Sequence, residues 1–97
     1  MEPVTPEKEN EARCYAVIAG LLGKDVLDLK PENSFTDDLG ADSLDALEIV
    51  MHLEAEFDIK ISDAEAEEIL TIGDAVKRVQ KLIWDKEALK FGEEQLT

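Results

Sequence analysis

The sequence predicts an all-α protein, a four-helix bundle with a long loop between helices one and two and a short third helix. Three observations lead there. Ala, Leu, Glu and Lys are common, whereas the 97 residues hold only 5 Gly and 3 Pro, a mix that favours helices. Four helix-start signals are each followed by apolar residues at helical spacing. No segment alternates convincingly between apolar and polar residues, as a half-buried strand would. The length suits one domain with one core, expected over residues 6–84 with 85–97 as a mobile extension. With 44% apolar and 35% charged residues, the composition is that of a globular chain. Three Phe, one Tyr and one Trp leave the core to be built mainly from aliphatic side chains.

Thr5-Pro6 supplies an N-cap and a proline for the first helical position. Cys14, Val17, Ile18, Leu21 and Leu22 follow at helical spacing and Gly23 is a plausible stop, so helix one is expected over 6–22. Cys14 lies on that apolar stripe, which makes it a core residue rather than a nucleophile. The connection from Gly23 to Asp42 is long for a loop without structure. Its apolar residues Val26, Leu27, Leu29, Phe35 and Leu39 are expected to anchor it over the bundle, with one short helical turn. Gly40 suits a backbone conformation closed to other residues. Asp42 is the expected cap of helix two, which begins at Ser43 and ends near Asp58. Ser62-Asp63-Ala64-Glu65 reads as a capping box opening a third helix to about Leu70. Thr71-Ile72-Gly73-Asp74 is a similar start with Asp in place of Glu. Helix four then packs Ile72, Ala75, Val76, Val79 and Ile83. Its core face would next meet Lys86 and Lys90, so the helix leaves the core there, and Trp84, Leu89 and Phe91 gain no obvious place.

Charge narrows the function classes. Ten basic residues face 24 acidic ones, a net of -14. Residues 31–76 hold 14 of the acids against one cation, Lys60. Such a chain repels nucleic acid and anionic membrane surfaces, and its partners are expected to carry basic patches. Cys14 is the only cysteine, which fits a reducing compartment. The start Met1-Glu2-Pro3-Val4-Thr5-Pro6 lacks the basic-then-apolar pattern of a signal peptide, and no apolar run reaches the length of a membrane span. A cytoplasmic monomer is the expectation.

Helix two is the informative segment. At about 100° per residue, Ala46, Ile49, Val50, Leu53 and Phe57 share one sector, an ordinary core stripe. Leu44, Leu47 and Met51 form a second stripe, bordered by Glu48 and Glu54. Either the long loop buries both stripes, or the second is an exposed apolar strip with an acidic rim, the composition of a docking surface. Catalysis finds little support. A nucleophilic Ser needs a base within reach, and His52, the only His, lies nine residues from Ser43 on the opposite face of the helix. No Cys/His cluster has metal-ligand spacing, and the acids do not follow the calcium-loop pattern. Weak divalent-cation binding at Asp37, Asp42 and Asp45 is the one metal reading left.

There remains a Ser at a helix start, flanked by Asp42 and Asp45 and preceded by a glycine-bearing loop. The run Asp38-Leu39-Gly40-Ala41-Asp42-Ser43-Leu44-Asp45, with Ser34-Phe35 before it and Glu48-Ile49-Val50-Met51 and Glu54-Ala55-Glu56-Phe57 after it, resembles the attachment motif of the acyl carrier protein family. The resemblance extends roughly from Val17 to Leu82. It implies a carrier without catalytic activity of its own. Ser43 would bear 4'-phosphopantetheine, transferred from coenzyme A by a phosphopantetheinyl transferase, with Asp42 and Leu44 beside the arm. Leu44, Asp45, Leu47, Glu48, Met51 and Glu54 would face acyl-transferring enzymes of the fatty-acid-synthesis type. A polyketide or peptidyl carrier would share fold and arm, and an unmodified acidic helical adaptor binding basic proteins is the alternative from another class.

Overall fold

In a computed structural model of the chain, the backbone is described for residues 5–96 and the side chains for residues 5–88. Helix α1 spans Pro6–Leu22. Thr5 Oγ1 accepts the N–H of Lys8 at 3.2 Å, Pro6 occupies the first turn, and Gly23 closes the helix in the left-handed region at φ 65°. These are the caps that the sequence calls for. Cys14, Ile18 and Ala19 are buried, with Val17, Leu21 and Leu22 packed beside them.

The long loop holds one 3-10 turn, Val26–Asp28, capped by Asp25, whose carboxylate accepts the N–H of Leu27 at 2.9 Å. Two expected anchors fail here: Leu27 is 89% exposed and Val26 is 43% exposed. A 3-10 turn sends successive side chains about 120° apart, so it cannot seat neighbouring residues in one core. The other expected anchors hold: Leu29 and Phe35 are buried and Leu39 packs against the cluster, and Ala41, not expected there, is buried with them. The loop is pinned to the start of α4. Ile72 N–H donates to Asn33 O at 3.1 Å, Gly73 N–H to Pro31 O at 2.8 Å, and Phe35 N–H to Leu70 O at 3.1 Å. A Cβ on Gly73 would lie 3.1 Å from the Pro31 carbonyl oxygen, so any side chain there would require the Pro31 backbone to give way by a few tenths of an ångström.

Helix α2 spans Ser43–Phe57 and buries Ile49, Val50, Leu53 and Phe57. Its far end is held by two cations. The Arg13 guanidinium donates to Glu56 O at 2.9 Å and to the Glu56 carboxylate, and lies 4.6 Å from the Phe57 ring centroid. Lys86 Nζ donates to both Asp58 O and Asp58 Oδ2 at 2.9 Å. Positive groups at a helix C-terminus oppose the negative end of the dipole.

Helix α3 is only Asp63–Glu67, shorter than the sequence suggests. Ser62 caps it by accepting the N–H of Glu65 at 3.2 Å. The returning half of the expected capping box is not made: Glu65 Oε2 is buried without a hydrogen-bond partner among the described residues. Glu68 and Ile69 then close with tighter bonds to Glu65 O and Ala66 O, which ends the helix and turns Ile69 toward the core.

Helix α4 spans Ile72–Leu96. Its start is a reciprocal box: Asp74 N–H donates to Thr71 Oγ1 and Thr71 N–H donates to Asp74 Oδ2, each at 3.1 Å. Burial pushes the Asp74 carboxyl up, but the bonds it accepts from Leu70, Thr71 and the Thr71 hydroxyl hold it below its usual value. Ile72, Ala75, Val76 and Val79 are buried, and Leu82 and Ile83 pack on the rim. The helix continues to Leu96, past the 6–84 core expected from sequence; the side chains of Leu89 and Phe91 lie outside the described residues. Among the described residues no helix is long and apolar enough to cross a membrane.

Two consequences can be measured here. Burial pushes the Cys14 thiol up to about 12, with nearby Arg13 pulling it the other way. Cys14 is therefore expected to resist alkylation in the folded protein at mildly alkaline pH and to react fully once the chain is unfolded; rapid labelling of the folded protein would contradict its burial. Only three ion pairs are found among the described residues, set against a net charge of -14. Self-repulsion is thus largely uncompensated, and raising salt from low to physiological ionic strength is expected to raise Tm. A gain of about 1 kcal/mol corresponds to about 4–8 °C at this size. An unchanged melting curve would show that the carboxylates are too dispersed to matter.

Candidate functional site

The loop preceding α2 is built to present a helix start. Ser34 N–H donates to Asp38 Oδ2 at 2.7 Å, and Asp37 N–H donates to Ser34 Oγ at 3.2 Å. Gly40 adopts φ 67°, and Ala41 N–H then donates to Phe35 O at 2.8 Å. That sequence of bonds tucks Ala41 into the core and leaves the next residues outside. Asp42 follows as the N-cap: its Oδ1 accepts the N–H of Asp45 at 2.9 Å, while Asp45 Oδ2 accepts the N–H of Asp42 at 3.2 Å. The sequence shows Asp42 as a cap. The return bond from Asp45 is a further element, legible only as an acid three residues on.

Ser43 occupies the first turn of α2 and is exposed. Capping is carried by the two aspartates, so its hydroxyl is uncommitted. The N–H groups of Ser43 and Leu44 belong to the first turn of α2, the positive end of the helix, where an anion attached to Ser43 would be favoured by the dipole and opposed by the neighbouring carboxylates. His52 is exposed on the far side of the helix and forms no pair with Ser43. Among the described residues no three acidic, His or Cys side chains converge as a metal-binding group. Asp37, Asp42 and Asp45 are therefore not gathered into such a group.

The second stripe of α2 is open. Leu44, Leu47 and Met51 are 70%, 52% and 57% exposed, so the loop does not cover them. Asp45 and Glu48 flank them. Glu54 is placed differently from Glu48: half-buried, its Oε2 accepts the N–H of Ile61 at 2.8 Å, which ties α2 to the link before α3.

Between α2 and α3 runs an open groove of about 490 Å³, lined by Ser43, Ala46, Leu47 and Val50 on one side and Ala66 and Glu67 on the other. Beneath it lies a closed void of about 20 Å³ walled by apolar residues, Phe35, Ile49, Leu53 and Ile69 among them. It is close to the space of a single water. Ala46, Val50 and Ala66 line both. The groove was not foreseen in the sequence, because residues 20 positions apart become neighbours only once α3 lies against α2.

A helical bundle with an exposed serine at an acid-capped helix start, beside an open groove between α2 and α3, has the arrangement that a carrier domain requires. The comparisons agree. Residues 15–79 match the family description "Phosphopantetheine attachment site". A Mycobacterium tuberculosis protein assigned as an acyl carrier protein is 37% identical, with TM-score 0.70, over 73% of this chain and 95% of that one. The acyl carrier protein of Enterococcus faecalis is 31% identical, with TM-score 0.69, over 80% of this chain and 99% of that one. The chain belongs to the acyl carrier protein family, whose domain is the site of covalent 4'-phosphopantetheine attachment.

Proposed function

We propose that Ser43 carries the arm and that the chain transports fatty-acyl-type cargo between enzymes. The observation that carries this reading is the position of Ser43: exposed, with its hydroxyl free, lining a groove whose residues Ala46, Val50 and Ala66 also line an apolar interior void. When attached, the arm supplies a thiol that holds acyl groups as thioesters. The protein supplies the rest. The first-turn N–H groups of Ser43 and Leu44 would favour the attachment phosphate at the positive end of the helix, Asp42 and Asp45 hold the helix start in place, and the apolar residues between α2 and α3 would shelter a bound chain.

Leu44, Leu47 and Met51, rimmed by Asp45 and Glu48, are the docking face in this reading. Its partners are the phosphopantetheinyl transferase and acyl-transferring enzymes with basic patches. Glu54 contributes mainly by fixing the helix through Ile61. A cytoplasmic monomer fits the single buried thiol of Cys14 and the strong negative charge. Polyketide or peptidyl carriage is less favoured, because the residues around the interior void are all apolar and offer nothing to a polar cargo.

The test uses a broad-specificity transferase with coenzyme A or octanoyl-coenzyme A. Intact mass should show one arm per chain in each case. The octanoyl form should melt several degrees above the unacylated form, since burying apolar surface stabilises the fold at roughly 25 cal/mol per Å². No mass gain would refute the carrier reading for Ser43. Loading without any rise in Tm would refute the sheltered fatty-acyl cargo.

A further inference from the structure

Two cations hold the C-terminal end of α2, and both lie outside residues 15–79, the span that matches the family description. Arg13 reaches it from α1 and Lys86 from the later part of α4. Each makes the same double contact, to a main-chain carbonyl and to the carboxylate of the same residue. Arg13 donates to Glu56 O at 2.9 Å and to the Glu56 carboxylate, and Lys86 Nζ donates to Asp58 O and Asp58 Oδ2, both at 2.9 Å. A helix leaves its last carbonyls without partners of its own, and here charge-assisted bonds take them up. Asp58 has a further need to be held. Among the described residues it alone of the non-glycines has a positive φ, 52°, a conformation uncommon for any residue with a side chain.

Past Asp58 the chain enters the link to α3. Ile59 N–H donates to Glu54 O at 3.1 Å, Ile61 N–H donates to Glu54 Oε2 at 2.8 Å, and Ser62 then caps α3. Helix α3 has little grip of its own on the core, since none of its residues is buried. After it, the chain is held by the Arg78–Glu68 pair at 2.8 Å and by Phe35 N–H donating to Leu70 O at 3.1 Å. Segments with few buried contacts open at low free energy, so the placing of α3 depends on what holds its two ends. An open space of about 450 Å³ is lined by Asp58, Ile59 and Lys60 of the link and by Leu82 and Lys86 of α4. Lys86 thus spans a gap that apolar packing does not fill. Through Ala66 and Glu67, α3 is also one wall of the groove beside Ser43.

We propose that Arg13 and Lys86 form a two-cation clasp that fixes the link between α2 and α3, and so limits how readily α3 moves away from α2 to open the groove beside Ser43. That the opened groove takes an acyl chain rests on the function proposed above; the clasp itself does not.

The experiment uses the full-length protein without the arm, so its outcome is independent of any cargo. Amide exchange is followed residue by residue by NMR in the wild type, Arg13→Met, Lys86→Met and the double variant. Methionine keeps an apolar stem and removes the charge. The amides of Ile61, Ala66 and Ile69 report the link and α3, where they donate to Glu54 Oε2, Ser62 O and Ala66 O. Each single variant should speed their exchange by up to about fivefold and the double variant by about tenfold. The amides of Ile18 and Val79, both fully buried, should stay within about twofold of the wild type. Lys86→Arg keeps the charge and should behave as the wild type does. Lys81→Met removes the same single charge from a residue outside the three ion pairs, and should leave α3 unchanged. A rise below about threefold at all three reporters in the double variant would overturn the proposal. An equal rise at Ile18 and Val79 would do the same, since the cations would then serve only global stability, as would an equal response to Lys81→Met. Absence of a Tm gain in the octanoyl form would, by contrast, refute the sheltered cargo and leave the clasp standing.

Discussion

Ser43→Ala is expected to abolish loading with phosphopantetheine while leaving the helical circular dichroism and Tm nearly unchanged. The reason for both halves is local. The chain has two other serines, and both spend their hydroxyls on structure: Ser34 Oγ accepts the N–H of Asp37, and Ser62 Oγ accepts the N–H of Glu65. At Ser43 the capping bonds are made by Asp42 and Asp45, so removing the hydroxyl breaks no structural bond. An exposed substitution of this kind usually changes stability within about 0.5 kcal/mol. Asp42→Ala is the informative contrast. It removes a cap worth about 1 kcal/mol, so it should lower Tm and slow loading without preventing it. Intact mass after exhaustive treatment with transferase and coenzyme A distinguishes the two variants. Full loading of Ser43→Ala would move the attachment point elsewhere.

What could be read from sequence, and what could not, divides along physical lines. The caps at Thr5, Asp42, Ser62 and Thr71 are chemistry between residues three apart, so the sequence contains the whole interaction, and the helix starts follow. Gly23 and Gly40 are legible for the same reason: a left-handed backbone is a local demand. Failures appear where direction depends on packing. Val26 and Leu27 have the right chemistry for anchors, but the 3-10 turn that holds them points them outward. Ala41 and Ile61 are buried although neither belongs to an apolar stripe, because loop residues gain burial from elements elsewhere in the chain. Glu54 has the helical position of a rim acid, yet Ile61 N–H draws it inward. The cations on the end of α2 come from residues 43 and 28 positions away from their partners, a separation that leaves no periodic trace. The setting of Ser43, the serine proposed to bear the arm, is legible because a helix start, an acid on each side and a glycine-bearing loop are all local. The groove beside it is not, since it exists only between α2 and α3.

The docking face proposed on α2 provides the second large effect, and its two kinds of side chain should fail differently. Leu47 is half exposed at the centre of the Leu44–Met51 stripe, so Leu47→Ala should destabilise the fold by much less than the roughly 2–5 kcal/mol of a buried leucine truncation. Glu48 is exposed and absent from the ion pairs described, so Glu48→Lys should leave the fold intact. Each is nevertheless expected to slow arm transfer about tenfold. The first removes an apolar anchor worth more than about 1 kcal/mol at an interface centre. The second sets a cation against the partner's basic patch. Ionic strength separates the causes. Repulsion is screened over a Debye length of about 8 Å at physiological salt, so the Glu48→Lys defect should shrink as salt rises, while the loss of apolar contact in Leu47→Ala should persist. Transfer rates across a salt series, with thermal melts of the same samples, decide the matter. A large drop in Tm for Leu47→Ala would place that side chain in the core. Normal rates for two stable variants would mean that the transferase approaches Ser43 from another side, and the exposed stripe would then have to answer to a different partner.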